Sequence, residues 1–268
     1  STRAIRGWTW AHKWSSLVCT LFMLLLCITG LPLIFHHEIG HLLGTEITAE
    51  ELPAGAPRAD LDAVLRTAVG RHPGKQGMFA SQEEDDDRVW YVTLAERPDA
   101  TSGFKQVAVD ARTGQVLGEP ALDRGFMVVM RSLHIDLIAG LPGMLFLGGM
   151  GVLLLVSLVS GTVLYAPFMR KLRFGTVRRG RSRRTTWLDL HNLVGIVTLV
   201  WFTVVGATGV INAWADLLVK YYQHTEVAAM LAPYKDRPPL ASPGSLQGAV
   251  AAALAHEPGM KVAFVAFP

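Results

Sequence analysis

Long apolar runs alternate with polar segments along this chain. Three stretches contain no Lys, Arg, Asp or Glu: 24 residues from Trp14 to His37, 33 from Leu137 to Met169 and 26 from Leu190 to Ala215. A helix of about 20 apolar residues is long enough to cross the hydrocarbon core of a bilayer. The pattern therefore predicts three transmembrane helices, near residues 12–37, 138–166 and 189–214.

The segment between the first two spans has the pattern of a small α+β domain. Asp60 is a suitable N-cap for a helix whose apolar positions between Leu61 and Ala68 recur at helical spacing, and His72-Pro73-Gly74 ends that helix. Two runs typical of β-strands follow, at 89–94 and 104–109.

Two parts of the chain resemble each other. His12 and Thr29-Gly30 recur as His191 and Thr208-Gly209, at an offset of 179 residues, and the helix at 61–74 recurs at 246–259, at an offset of 185. Such a repeat predicts two copies of a unit in which a span precedes an external α+β domain. Because the second copy ends in what should be its first strand, at 262–267, we expect the intact protein to continue with further strands and a fourth span.

The fold class expected from these patterns is a membrane α-helical bundle with extracytoplasmic α+β domains and an internal two-fold repeat. The predicted order is transmembrane helix 1 at 8–40, a periplasmic domain at 41–130, helix 2 at 131–168, a basic cytoplasmic loop at 169–186, helix 3 at 187–216 and the start of a second periplasmic domain at 217–268.

Charge predicts the orientation of these spans. The segment 38–136 carries 17 acidic and 10 basic residues. The charged residues of the loop between the second and third spans are all basic: Arg170, Lys171, Arg173, Arg178, Arg179, Arg181, Arg183 and Arg184. Since short basic loops stay in the cytoplasm, the N-terminus is expected there and 38–136 outside, in a multi-pass protein of a bacterial inner membrane. The position of the arginines between two spans indicates topology and contact with the lipid bilayer, not binding of nucleic acid.

Two histidines occupy matching positions inside the membrane. Ionisable residues are costly in a bilayer and usually have a function there. His12 and His191 begin parallel spans and therefore lie at the same depth, where their imidazoles could hold a haem iron from both sides. Gly30 and Gly209 follow them by 18 residues, which is five full turns, so each lies on its histidine's face and would allow a helix or a flat macrocycle to approach. Because the chain has no CxxCH motif, the haem would be held without covalent bonds.

His134 lies on the outer side, just before the second span. Its axial partner could be the repeat-mate in the expected fourth span, or His36 or His37 at the outer end of the first span, and the sequence leaves these alternatives open. On a straight helix His37 would lie about 20° from the face of His12, although Pro32 is expected to bend the helix. A second haem at this depth would complete an electron route between the two leaflets.

The motif His37-Glu38-Ile39-Gly40-His41 matches the HExxH pattern of zinc proteases. That pattern places two histidines on one helical face, and a catalytic site needs a third ligand. The sequence offers no convincing third ligand, so a structural helix end is the preferred interpretation.

The chain resembles the PepSY-associated transmembrane proteins. The residues that carry the resemblance are His12-Lys13-Trp14, Thr29-Gly30, Phe35–Ile39, Ser132-Leu133-His134, Ser160-Gly161 and Trp187–Asn192 with Gly195. Within that family the chain is similar to FoxB-like ferric-siderophore reductases of the inner membrane. The resemblance implies four spans, two b-type haems with ligands at His12, His191 and His134, and reduction of ferric siderophore on the periplasmic side, which releases Fe(II).

The chain has no G-x-G-x-x-G motif after a strand, so the expected electron donor is a separate partner: a quinol, a flavin or a reductase. Two other functions are considered. One is a non-redox, membrane-anchored PepSY sensor or inhibitor, and the other is an HExxH zinc protease of the membrane.

Overall fold

The computed structural model describes residues 2–51, 53, 56–83, 86–98, 100, 102–169, 172–234 and 244–267. Arg170 and Lys171 of the predicted basic loop lie outside the described residues, as do 235–243. The chain divides into two compact units, which we name the membrane unit (Ser1–Ile34 with Val129–Asp236) and the sheet unit (Phe35–Val128 with Arg237–Pro268).

The predicted spans, the helix after Asp60 and the predicted strands occur in the expected order, with further short elements between them. The helices are α1 (Thr2–Ile34), α2 (His36–Leu43), α3 (Leu61–Arg71), α4 (Phe126–Asp136), α5 (Leu141–Met169), α6 (Arg183–Tyr222), α7 (Ala228–Leu231) and α8 (Leu246–His256). The strands are β1 (Gln76–Ser81), β2 (Val89–Ala95), β3 (Lys105–Asp110), β4 (Val116–Gly118) and β5 (Phe264–Ala266). A π-helical turn, Gln223–Val227, joins α6 to α7.

Within the described part of the chain, three helices are long and apolar enough to cross a membrane, which confirms the prediction of three candidate spans. They are Arg3–Ile34, Leu141–Pro167 and Arg183–Tyr234. The helix α5 packs against both α1 and α6. Large apolar side chains such as Leu21 and Val200 remain exposed on the outer helices, as expected where lipid and not water is the surrounding solvent.

The first span ends earlier than a single helix over 8–40 would. Pro32 lies in the last turn of α1, the chain turns at Phe35, and α2 begins at His36. Proline has no N–H to donate to the preceding turn, which weakens the end of α1. The straight-helix comparison between His12 and His37 therefore does not apply, because the two residues are on different helices.

The sheet unit contains one antiparallel sheet with the strand order β4-β3-β2-β1-β5. The helix α3 packs on the sheet through Val64 and Ala68, which are fully buried with Val92, Leu94 and Val107. Asp60 accepts a hydrogen bond from Asp62 N at 2.7 Å, which confirms the predicted N-cap. The strand β1 was not predicted, because Gln76–Ser81 has no β-branched residue and contains Gly77.

Polar contacts join α3 and α8 reciprocally. Asp62 accepts hydrogen bonds from Ser245 Oγ at 2.6 Å and from Leu246 N at 2.7 Å, and Gln247 Oε1 accepts one from Leu61 N at 3.1 Å. These contacts satisfy backbone donors at the start of both helices, which have no partner within their own helix.

The strands β1 and β5 lie side by side, with Ala80 opposite Val265. The 185-residue offset seen in the sequence separates Ala80 from Val265 and also separates Asp62 from Gln247. Residues 244–267 are therefore part of the same sheet and the same core as residues of 35–128.

Candidate functional site

The first predicted ligand, His12, points from α1 onto α5. Its Nδ1 atom lies 3.0 Å from the backbone oxygen of Ser157 and 3.3 Å from Ser160 Oγ. Ser160 is fully buried and Ser157 nearly so. The imidazole is therefore held at one nitrogen by buried polar groups of a neighbouring span.

These contacts determine which nitrogen of His12 carries the proton. A backbone carbonyl oxygen can only accept, so Nδ1 must be the donor to Ser157. Ser160 Oγ donates its own proton to Val156 O at 2.7 Å and is free to accept from the same Nδ1. The neutral ring then has its lone pair on Nε2, and histidines that bind metals commonly use this arrangement, in which the other ring nitrogen donates to a carbonyl.

The second predicted ligand, His191 of α6, lies next to His12. Their ring centroids are 6.1 Å apart and the ring planes make an angle of 60°. Metal–imidazole nitrogen distances are about 2.0 Å, and the centroid lies about 1.2 Å behind the nitrogen, so two imidazoles on opposite sides of one metal have centroids about 6.4 Å apart. The structure brings together the two histidines that the sequence paired, at a separation that fits bis-histidine haem ligation.

Small residues on α5 form the surface that receives His12. Ser157, Ser160 and Gly161 recur at helical spacing and share one face. A Cβ atom at Gly161 would lie 3.0 Å from His12 Cε1. Glycine at this position therefore allows the imidazole to approach α5 closely enough to reach both serines.

His134 of α4 is held on α1 in the same way. Its Nδ1 lies 3.0 Å from Thr29 Oγ1, and the hydroxyl of this buried threonine donates to Leu25 O at 2.8 Å. The hydroxyl proton is thus already used, so His134 Nδ1 donates and its Nε2 is left as an acceptor. A Cβ at Gly30 would lie 3.1 Å from His134 Cε1. A hydroxyl residue followed by glycine thus receives a histidine in both places.

The remaining predicted site residues are placed differently. Gly30 lines His134 and not His12, and Gly209 has no described atom within 4 Å of a Cβ built on it. His36 and His37 belong to the sheet unit, where their ring centroids are 4.1 Å apart.

An ion pair that the sequence analysis did not identify lies two residues before His191. Asp189 is 3% exposed and accepts hydrogen bonds from Arg178 at its backbone N (2.9 Å), Nε (2.9 Å) and Nη2 (2.7 Å). A bidentate pair of this kind has a strict geometry. It joins the loop after α5 to the first turns of α6 and so helps to position His191. The only signal in the sequence was a single acid that follows a segment whose other charged residues are all basic.

The HExxH motif lies on α2, and Glu46 faces both of its histidines. His37 Nδ1 lies 3.2 Å from Glu46 Oε1, and His41 Nε2 lies 3.0 Å from Glu46 Oε2. The hydrogen bond to Glu46 is the main reason that the pKa of His37 is raised. Nothing in the sequence around Glu46 distinguished it from the other acids of this segment. Among the described residues, no three His, Cys, Asp or Glu side chains already surround a common metal position.

Comparison with known proteins agrees with this architecture. A segment of 98 residues, 37% of this chain, is 36% identical to an uncharacterised protein of Pseudomonas aeruginosa and covers 23% of that protein's length. The family model described as the PepSY-associated TM region matches residues 9–267. The chain therefore belongs to the PepSY-associated transmembrane family.

Proposed function

We propose that this chain is part of a haem-dependent reductase of the bacterial inner membrane that passes electrons across the bilayer to iron(III) held by a siderophore. The observation that carries the proposal is that the ring centroids of His12 and His191, on two candidate spans, are 6.1 Å apart. Bound haem b would supply a one-electron couple between Fe(III) and Fe(II).

The chain's own residues would orient the axial ligands. Ser157 and Ser160 hold His12 in the tautomer whose Nε2 is free to bind a metal, and Gly161 gives the ring its place on α5. The Arg178–Asp189 pair anchors the start of α6 and thereby the backbone of His191. Partners of this kind commonly set ligand orientation and metal affinity.

The second site would use His134, for which Thr29 and Gly30 play the parts that Ser160 and Gly161 play for His12. The exposed Thr208-Gly209 pair repeats the sequence of Thr29-Gly30, which supports a seat for the histidine of a fourth span in the intact protein. His36 and His37 stay alternative partners for His134.

The orientation and substrate complete the proposal. The basic segment between the second and third spans supports a cytoplasmic loop and N-terminus, which would place the sheet unit in the periplasm. Hard oxygen chelators hold Fe(III) far more tightly than Fe(II), so one-electron reduction there releases the metal. A quinol, flavin or reductase would supply the electron.

We also infer that the sheet unit is built from two halves of an internal repeat. The support is the pairing of Ala80 with Val265 and the reciprocal capping by Asp62 and Gln247, because each partner is the other's equivalent at the 185-residue offset. A local two-fold relation is the simplest arrangement that gives such isologous contacts.

The test is a visible spectrum of the detergent-purified protein, oxidised and then reduced with dithionite, with a haem-to-protein ratio. We expect a low-spin bis-histidine spectrum. We expect His191→Ala to abolish the absorption of the haem held between His12 and His191, while insertion into the membrane is unchanged. His224→Ala is the matched control, since it lies on the continuation of the same helix but 33 residues, or about 50 Å, further along.

Full haem retention in His191→Ala would reject His12 and His191 as the ligands of one haem. A colourless protein after expression with sufficient haem would reject the redox function and favour the non-redox sensor. A haem-loaded protein that transfers no electron to a ferric siderophore would keep the cofactor and reject the substrate.

A further inference from the structure

The HExxH motif on α2 is not used by the proposed electron route. In the structure, the two histidines of the motif share one carboxylate, Glu46, which follows α2 after the left-handed turn at Gly44. That carboxylate is the third group that the sequence alone did not provide.

One oxygen of Glu46 lacks a hydrogen bond. Glu46 Oε2 is buried and has no hydrogen-bond partner among the described residues, although His41 Nε2 is 3.0 Å away. A buried carboxylate oxygen without a partner costs free energy, and a cation would satisfy it. Further negative charge lies nearby, because Glu83 Oε2 is 3.7 Å from His37 Nε2.

Each imidazole lies near a different oxygen of the Glu46 carboxylate, at a separation close to that between neighbouring ligands of one metal. Ligands that lie about 2.0–2.1 Å from a metal are separated from one another by about 2.9 Å in octahedral and about 3.4 Å in tetrahedral geometry. The two imidazole–carboxylate separations are 3.2 Å and 3.0 Å. His37 and His41 are one helical turn apart and are 45% and 70% exposed, so either ring can rotate toward a common position.

We propose that His37, His41 and Glu46 form a binding site for a divalent first-row transition-metal ion. Two imidazoles and one carboxylate are the ligand set found in many zinc sites and in non-haem iron(II) sites. The site does not depend on the haem proposal, because all three residues belong to the sheet unit.

The test is a cobalt(II) titration of the metal-stripped, detergent-purified chain, followed by its visible absorption and by competition with zinc. We expect one saturable site per chain. Glu46→Gln and His41→Ala should each weaken binding at least about tenfold, the lower end of what even outer-shell changes cost.

Two matched controls separate this site from an ordinary ion pair and from the membrane histidines. His72 Nε2 lies 3.1 Å from Glu119 Oε2, a similar pair without a second imidazole, so His72→Ala should leave the affinity unchanged. His224→Ala, which removes an exposed histidine of the membrane unit, should also leave it unchanged. The proposal is overturned if the wild-type chain binds no cobalt at about 1 mM, the weak end of functional cation sites, if Glu46→Gln retains full affinity, or if either control loses as much as His41→Ala.

Discussion

Replacement of Gly161 by alanine tests how closely His12 must approach α5. The added Cβ would lie 3.0 Å from His12 Cε1 and 3.3 Å from Nδ1. Since carbon atoms pack at about 3.5 Å or more, the imidazole has to retreat by about 0.5 Å. Its hydrogen bond to Ser157 O, now 3.0 Å, would lengthen beyond the usual limit of about 3.2 Å. The contact with Ser160 Oγ, already 3.3 Å, would become longer still.

The size of the effect follows from two opposing contributions. Overpacking of this kind costs about 1–3 kcal/mol, and alanine recovers up to about 1 kcal/mol through its higher helix propensity. Gly149→Ala is the matched control, because it lies on the same helix and no described atom is within 4 Å of its new Cβ. We expect the control to keep only the propensity gain, so that Gly161→Ala is less stable than Gly149→Ala by about 1–3 kcal/mol.

The assay is reversible unfolding in mixed micelles of increasing SDS fraction, followed by tryptophan fluorescence, for wild type and both variants. Equal free energies of unfolding for the two variants would refute the close approach of His12 to α5. This comparison needs no cofactor, so it tests the packing separately from the proposed function.

Three further predictions concern other contacts. Asp62→Ala should destabilise the sheet unit by about 1 kcal/mol at neutral pH through loss of a helix cap. The Ser245 hydroxyl and the amides of α8 lower the pKa of Asp62. The contribution of Asp62 to stability is therefore present above its unfolded pKa of about 4 and is lost as the pH falls toward the lower folded value. Hydrogen exchange of β1 and β5 measures this loss. Asp189→Asn should lower the free energy of unfolding in the same SDS assay, because it removes the carboxylate charge that both guanidinium hydrogen bonds of Arg178 depend on. Thr29→Val should remove the acceptor for His134 Nδ1 and allow both imidazole tautomers, which nitrogen NMR of the ring detects.

Controls for these variants use similar residues in other surroundings. Exposed Asp216 on α6 is the comparison for Asp189, and Thr208, which donates only to its own helix, is the comparison for Thr29. If the difference in stability between wild type and Asp62→Ala were the same at pH 2 as at neutral pH, the capping argument would be contradicted. Equal losses of stability on replacing Asp189 and Asp216 would contradict the ion-pair prediction. An unchanged His134 tautomer in Thr29→Val would contradict the prediction for His134.

The hydrophobic pattern was sufficient to predict the spans and much of the sheet unit. Runs without charge between Trp14 and His37, and in the two later stretches, can be helical in a bilayer because only a helix satisfies its own backbone there. The N-cap at Asp60 was also evident, because it depends on local side-chain chemistry. The strand β2 was evident because its residues are mostly β-branched or aromatic. The strand β1 was not evident, because its place between β2 and β5 comes from pairing and not from its own composition.

Candidate histidine ligands, and the pairing of His12 with His191, could be identified without coordinates, because repeat spacing and charge are properties of the chain alone. Packing between helices fixed which buried groups hold those rings: Ser157 and Ser160 for His12, and Thr29 for His134. The fold also brings Glu46 to face the HExxH histidines. These contacts join residues of different helices or follow an irregular turn, so no periodicity along the chain encodes them. Their geometry depends on how closely small side chains allow neighbouring elements to pack.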